Sequence, residues 1–113
     1  MHEMSIAVSI VDIVCKKAIE EDAKKINSIE LEIGELSGIM IDALEFGFEA
    51  ATKNTLADGA LLKINKVQGK ALCKNCDMHF HIEHEYTPCP TCYDFNFDLL
   101  AGKELNIKSF NID

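Results

Sequence analysis

No stretch of this chain is both long and uniformly apolar: the run from Ile6 to Val14 is broken by Asp12, and the opening Met1-His2-Glu3 carries no basic residue. Neither a membrane span nor a secretory leader is expected, and the expected compartment is the cytoplasm. A basic stripe is also missing. Formal net charge is -8, with 8 basic against 12 acidic side chains in residues 1–72 and 3 against 7 in residues 73–113. Nucleic-acid binders gain most of their affinity from Lys and Arg that displace counterions from phosphate, so the acidic balance points to protein partners and divalent cations. Absent too are a glycine-rich phosphate loop, a nucleophile elbow and an HExxH helix, which leaves no basis for an enzyme. With 113 residues, no internal repeat and no low-complexity segment, the expectation is one modest core with a small appendage.

What is present is cysteine at metal-site spacing. Cys73-Lys74-Asn75-Cys76 and Cys89-Pro90-Thr91-Cys92 are separated by twelve residues. Each pair can wrap one edge of an ion in a tight turn, and four thiolates close a tetrahedral zinc site against water. Such a site holds structure and does not catalyse. A redox dithiol is the alternative, but it needs no second pair, and neither pair is followed by an apolar helical pattern. The odd Cys15 lies in an apolar stretch and is expected to be a buried small hydrophobe in a reducing compartment. Between the pairs, an extended 79–83 would put His79, His81 and Glu83 on one face, as a second metal position or, the preferred reading, as the solvated side of a strand that turns Phe80 and Ile82 inward. His84 stands as a further histidine near these, and Phe80 and Tyr86 are expected to pack over the thiolates.

The rest reads as alternating helix and strand. Met4, Ala7, Val8, Val11, Val14, Cys15, Ala18 and Ile19 recur at helical spacing over residues 4–23. Ile29, Leu31 and Ile33 alternate with glutamates as a strand, and Gly34 to Gly38 form a loop. A second helix is expected to begin at Asp42, capped by that side chain with Glu45 reciprocating, and to bury Leu44, Phe48 and Ala51. Leu62 and Ile64 mark another strand, Phe95, Phe97 and Leu99 alternate after the cysteines, and a last strand from about Glu104 to Ile112 changes phase near Lys108-Ser109. The fold class is α+β: two helices packed on a short three-stranded sheet, with an inserted four-cysteine zinc-ribbon module.

His2 directly after the initiator has its own chemistry. The free amine, the amide nitrogen of His2 and its imidazole Nδ1 close consecutive chelate rings, and such tetragonal nitrogen sites select Ni2+ or Cu2+ over Zn2+, Mg2+ or Ca2+.

Met1-His2-Glu3-Met4-Ser5, the segment Glu30 to Gly38, the stretch Leu44 to Glu49 and the two cysteine pairs together resemble the HypA/HybF family of hydrogenase nickel-incorporation proteins, over nearly the whole chain. The resemblance implies a nickel metallochaperone with a nickel-binding α+β domain (1–70 and 101–113) and a zinc-ribbon domain (71–100). His2 would carry exchangeable Ni2+, Glu3 would add a backbone nitrogen or a carboxylate, and Cys73, Cys76, Cys89 and Cys92 would hold structural Zn2+. Met40 stands where some members place an acidic residue; Asp42 is a substitute nickel ligand, though helix capping is its favoured role. The implied partners are a HypB-type GTPase, the large subunit of a [NiFe] hydrogenase and urease maturation factors.

Overall fold

The computed structural model describes residues 3–113. In chain order the elements are α1 (Glu3–Glu20), β1 (Ile26–Gly34), α2 (Ile41–Ala51), β2 (Leu61–Val67), β3 (Lys70–Cys73), β4 (His79–His81), β5 (Phe97–Ala101) and β6 (Leu105–Ile112). They form two three-stranded sheets, ordered β2-β1-β6 and β4-β3-β5. The two helices with the first sheet are the expected α+β arrangement. The second sheet is built from short strands around the cysteines, where the sequence pattern marks only extended segments.

The chain divides into two compact units, with boundaries that fall inside β1, β2 and β6 as well as in the loop after β1. One unit comprises Ile39–Ile64 and Ile107–Asp113 with the segment ending at Leu31; the other comprises Glu32–Gly38 and Asn65–Asn106.

In the first unit α1 buries Ile6, Ala7, Ile10, Val11, Val14 and Ala18. Its face is rotated from the expected one toward Ile6 and Ile10, so Met4, Val8 and Ile19 are exposed and Cys15 is only half-buried. Apolar residues take up well over half of this helix's circumference, with Ser5, Ser9, Asp12, Lys16 and Glu20 on the remaining face, so spacing alone leaves more than one stripe open and tertiary packing selected among them. The helix ends with Asp22 at φ 56°, while the Asp22 N–H donates to the Ile19 carbonyl and the Ala23 N–H to the Ala18 carbonyl. This is a Schellman closure with aspartate in the left-handed position that glycine usually takes.

Helix α2 buries Leu44, Gly47 and Phe48. A Cβ on Gly47 would stand 3.3 Å from the Met4 Cα, so the missing side chain is what lets the two helices approach. The expected capping box is not formed. The N-cap is Met40, with no side-chain cap, and Asp42 lies inside the first turn, where its charge still complements the helix dipole. The Met40 N–H instead donates to Glu3 Oε2 at 3.1 Å. Strand β1 buries Ile29, Leu31 and Ile33 as its alternation requires, and Ile26 joins them. Each such side chain contributes about 1.5–3 kcal/mol of hydrophobic stabilisation. Along β6, Ile107 and then Phe110 and Ile112 are half-buried, which is the expected change of phase.

Candidate metal centre

The cysteines sit on two turns built the same way. The Cys73 N–H donates to the Met78 carbonyl and the Asp77 N–H to the Cys73 carbonyl, both at 2.9 Å. In the second pair the Cys89 N–H donates to the Asp94 carbonyl at 2.9 Å and the Tyr93 N–H to the Cys89 carbonyl at 2.8 Å. The residue after each second cysteine is left-handed, Asp77 at φ 58° and Tyr93 at φ 61°. This closes each turn so that two sulfurs face the same point. Strand β3 ends on Cys73 and so anchors the first turn, whereas the second lies between Cys89 and Asp94, ahead of β5.

Sγ atoms of Cys73, Cys76, Cys89 and Cys92 all lie within 4.8 Å of one another. The Cys73–Cys92 separation is 3.5 Å and Cys76–Cys89 is 3.6 Å. A tetrahedron with zinc–sulfur bonds of about 2.3 Å has edges of about 3.8 Å, so the cluster fits a tetrathiolate ion; disulfide sulfurs would be at about 2.05 Å. None of the four is in a disulfide. Cys73 and Cys89 are fully buried, Cys92 is half-buried and Cys76 is exposed.

Crowding the sulfurs splits their acidity. The Met78 N–H acts to lower the Cys76 thiol, but desolvation and the sulfurs of Cys89, Cys73 and Cys92 outweigh it and push the thiol up to about 12. Cys89 is brought down to about 7, chiefly by the Cys92 N–H and further by the Thr91 N–H and the neighbouring sulfurs, against desolvation. Four adjacent thiols cannot all ionise alone; a divalent cation removes that restriction and drives the protons off.

Behind the cysteines, Ala71, Cys73, Phe80, Ile82 and Cys89 form a small core, with Leu36, Cys92 and Phe97 packed on it. Strand β3 pairs antiparallel with β4, placing Ala71 opposite Phe80, and with β5, placing Cys73 opposite Phe97. The Phe80 and Phe97 rings meet edge to face at 6.0 Å. Tyr86 does not cover the thiolates as expected: it is 79% exposed, because its turn, where the Thr87 N–H donates to the His84 carbonyl, lies outside the sheet. His79, His81 and Glu83 do share the solvent side while Phe80 and Ile82 point inward. Among the described residues only the four cysteines gather as a ligand group.

His81 is engaged elsewhere. Its Nε2–H donates to Glu35 Oε1 at 2.7 Å, and the same oxygen accepts the Gly69 N–H at 3.1 Å. These two bonds, the backbone donor first, hold the Glu35 carboxyl below the usual carboxylate range. Sequence pattern does not reveal Glu35 as a structural residue, because it falls in a glycine-bounded loop and its partners are distant along the chain. Around it the Leu36 N–H donates to the Gly102 carbonyl, and Gly102, at φ 128°, would bring a Cβ to 2.8 Å from the Gly69 Cα.

Of the residues implied for nickel, His2 lies outside the described residues. Glu3 opens α1 with its carboxylate on the Met40 N–H, and Asp42 is exposed on the first turn of α2. No helix among the described residues is long and apolar enough to cross a membrane.

Residues 1–112 match the family model described as "Hydrogenase/urease nickel incorporation, metallochaperone, hypA". The chain is 42% identical over 113 residues to the "Hydrogenase maturation factor HypA" of Geotalea uraniireducens, and 43% identical over 113 residues to that of Geobacter sulfurreducens, covering 100% of each chain in both cases. Among solved structures it resembles the "Ni metallochaperone HypA from Helicobacter pylori", with TM-score 0.65 and 28% identity over 99% of this chain and 97% of that one. A second solution structure, of "HypA protein", matches with TM-score 0.71 and 26% identity over 99% and 96% of the two chains. With the four sulfurs converged as a metal-binding set inside this fold, the chain belongs to the HypA family of hydrogenase and urease nickel-incorporation metallochaperones.

Proposed function

We propose that this protein carries exchangeable Ni2+ on its Met1-His2-Glu3 terminus and delivers it to the large subunit of a [NiFe] hydrogenase, acting in the cytoplasm with a HypB-type GTPase and serving urease maturation factors by the same route. The observation that carries the reading is the family match over residues 1–112, read together with the donor set of the first two residues. An amine, a deprotonated amide and an imidazole form the nitrogen-rich site that suits a tetragonal d8 ion. The Glu3 carboxylate is engaged with the Met40 N–H, which favours a backbone contribution from Glu3 to the metal; Met40 itself brings no carboxylate, and Asp42 is the remaining acidic side chain of that stretch. The nickel leaves when the amine and amide regain their protons, so release responds to pH and to competing ligands.

Cys73, Cys76, Cys89 and Cys92 are the residues that would hold Zn2+, whose role is to fix the turns of a closed tetrathiolate site. The protein acts as a carrier rather than an enzyme, with a nickel-binding domain of residues 1–70 and 101–113 and a zinc domain of 71–100. The test is a Ni2+ titration of the wild type, His2→Ala and a protein with one extra N-terminal residue. Both altered proteins should lose most nickel affinity while zinc stays near one ion per chain; three superimposable curves would instead describe a zinc-ribbon adaptor with no cargo.

A further inference from the structure

Tyr93 occupies a backbone position that disfavours it. Both cysteine turns demand a left-handed residue after the second cysteine, and the first turn meets that demand with Asp77, a residue type that enters this region readily. At the second turn a bulky side chain is held at φ 61°, an outlier for such a residue. The ring gains no burial in return: Tyr93 is 73% exposed, and Phe95, two residues on, is 60% exposed. Phe97 is the aromatic of this run that packs inward, against Phe80.

In sequence between the two exposed aromatics stands Asp94, whose carbonyl accepts the Cys89 N–H and whose Oδ1 accepts the Asn96 N–H at 3.1 Å. The turn is therefore fixed at both ends, and it presents two aromatic rings and a carboxylate from a short, ordered segment. Over residues 73–98 the charge is one-sided, with Asp77, Glu83, Glu85, Asp94 and Asp98 against Lys74, and of these Glu85 is paired with Lys103 at 3.3 Å. Lys74 is itself paired with Asp98 at 3.3 Å. Aromatic faces beside carboxylates attract cations that are weakly hydrated and planar, which is guanidinium before ammonium. All eleven basic residues of this chain are lysine, so the arginine must come from another protein.

We propose that the turn Tyr93–Asn96 is a docking surface for an arginine-bearing basic segment of a partner protein, with Tyr93 and Phe95 as the ring platforms and Asp94 as the charge between them. A backbone held in an unfavourable region to display an unburied ring is the pattern expected where function, not packing, selects the side chain. The surface does not depend on nickel at the N-terminus, and its test is run without nickel so that the two readings fail separately.

The experiment uses the zinc-loaded full chain, isotopically labelled, and a synthetic peptide of alternating arginine and glycine, with lysine and glutamate counterparts. Expected are saturable amide shifts centred on residues 92–97, weaker binding of the lysine peptide, and none of the glutamate peptide. Combining Tyr93→Gly, which suits the left-handed backbone, with Phe95→Ser leaves the charge unchanged and should weaken arginine-peptide binding about tenfold, with zinc content unaltered. Equal affinity for the arginine and lysine peptides, shifts spread over the acidic surface, or undiminished binding by the double variant with its zinc retained would each overturn the proposal. Should the double variant lose zinc, shift mapping on the wild type decides by itself.

Discussion

Replacing Tyr93 by glycine should tighten the metal site although it deletes a large side chain. A left-handed backbone costs an L-residue with a β-carbon about 1–2 kcal/mol, and φ 61° at Tyr93 places it there. Glycine removes that cost, while its greater freedom in the unfolded chain returns about 0.5–1 kcal/mol to the other side. The ring is 73% exposed, so its loss forfeits little burial. The net expectation for Tyr93→Gly is a stabilisation of about 0.5–1 kcal/mol, which is about twofold to fivefold in zinc affinity, since closing the turn and binding the ion are one process. Tyr93→Ala is the control: it deletes the same ring but keeps the β-carbon, and so should gain nothing. Competition against a chromophoric chelator measures both. An alanine variant that matches glycine, or a glycine variant that binds zinc more weakly than wild type, would refute the strain argument. Because Tyr93→Gly is also expected to weaken docking, the two measurements together would show a ring retained at the expense of stability.

Stripping the metal should melt the sheet β4-β3-β5, because Cys73 and Cys89 are themselves part of its small core. Structural zinc supplies about 10–16 kcal/mol in comparable modules; chelation followed by NMR should collapse amide dispersion for residues 70–101 while signals of α1 and α2 persist. Glu35, lowered from its ordinary value of 4.5 by the Gly69 N–H and then by His81, contributes stability that is present above the ordinary value and lost as pH falls through its lower folded value. Denaturant titrations of Glu35→Gln should therefore show a flatter loss of stability below about pH 4.5 than wild type; an identical acid limb would remove Glu35 from the account. Gly102→Ala should destabilise by about 1–3 kcal/mol or more in thermal unfolding, since φ 128° admits no side chain and the new Cβ would stand 2.8 Å from the Gly69 Cα.

Elements with short-range causes are readable from the chain itself. The cysteine spacing announces two turns, alternation marks the buried side of β1, and the phase change of β6 is visible between Ile107 and Phe110. Where several stripes or partners compete, local pattern misjudges the outcome. On α1 the apolar residues cover well over half of the helix, and tertiary packing buried Ile6 and Ile10 rather than Val8 and Ile19. Asp42 and Glu45 have the spacing of a capping box, yet the helix starts at Ile41, and the Glu3 carboxylate reaches across from α1 to the Met40 N–H.

Sequence alone carried the four-cysteine cluster and the family, because ligand identity and spacing are properties of the covalent chain and a Cys-x-x-Cys turn needs no distant partner to form. Tertiary structure decided which sulfurs are buried, that Glu35 pairs with His81, and that Tyr93 and Phe95 remain outside while Phe97 turns in. These depend on contacts between residues far apart in the chain, where packing volume and the saturation of backbone hydrogen bonds select one arrangement among several that local pattern permits.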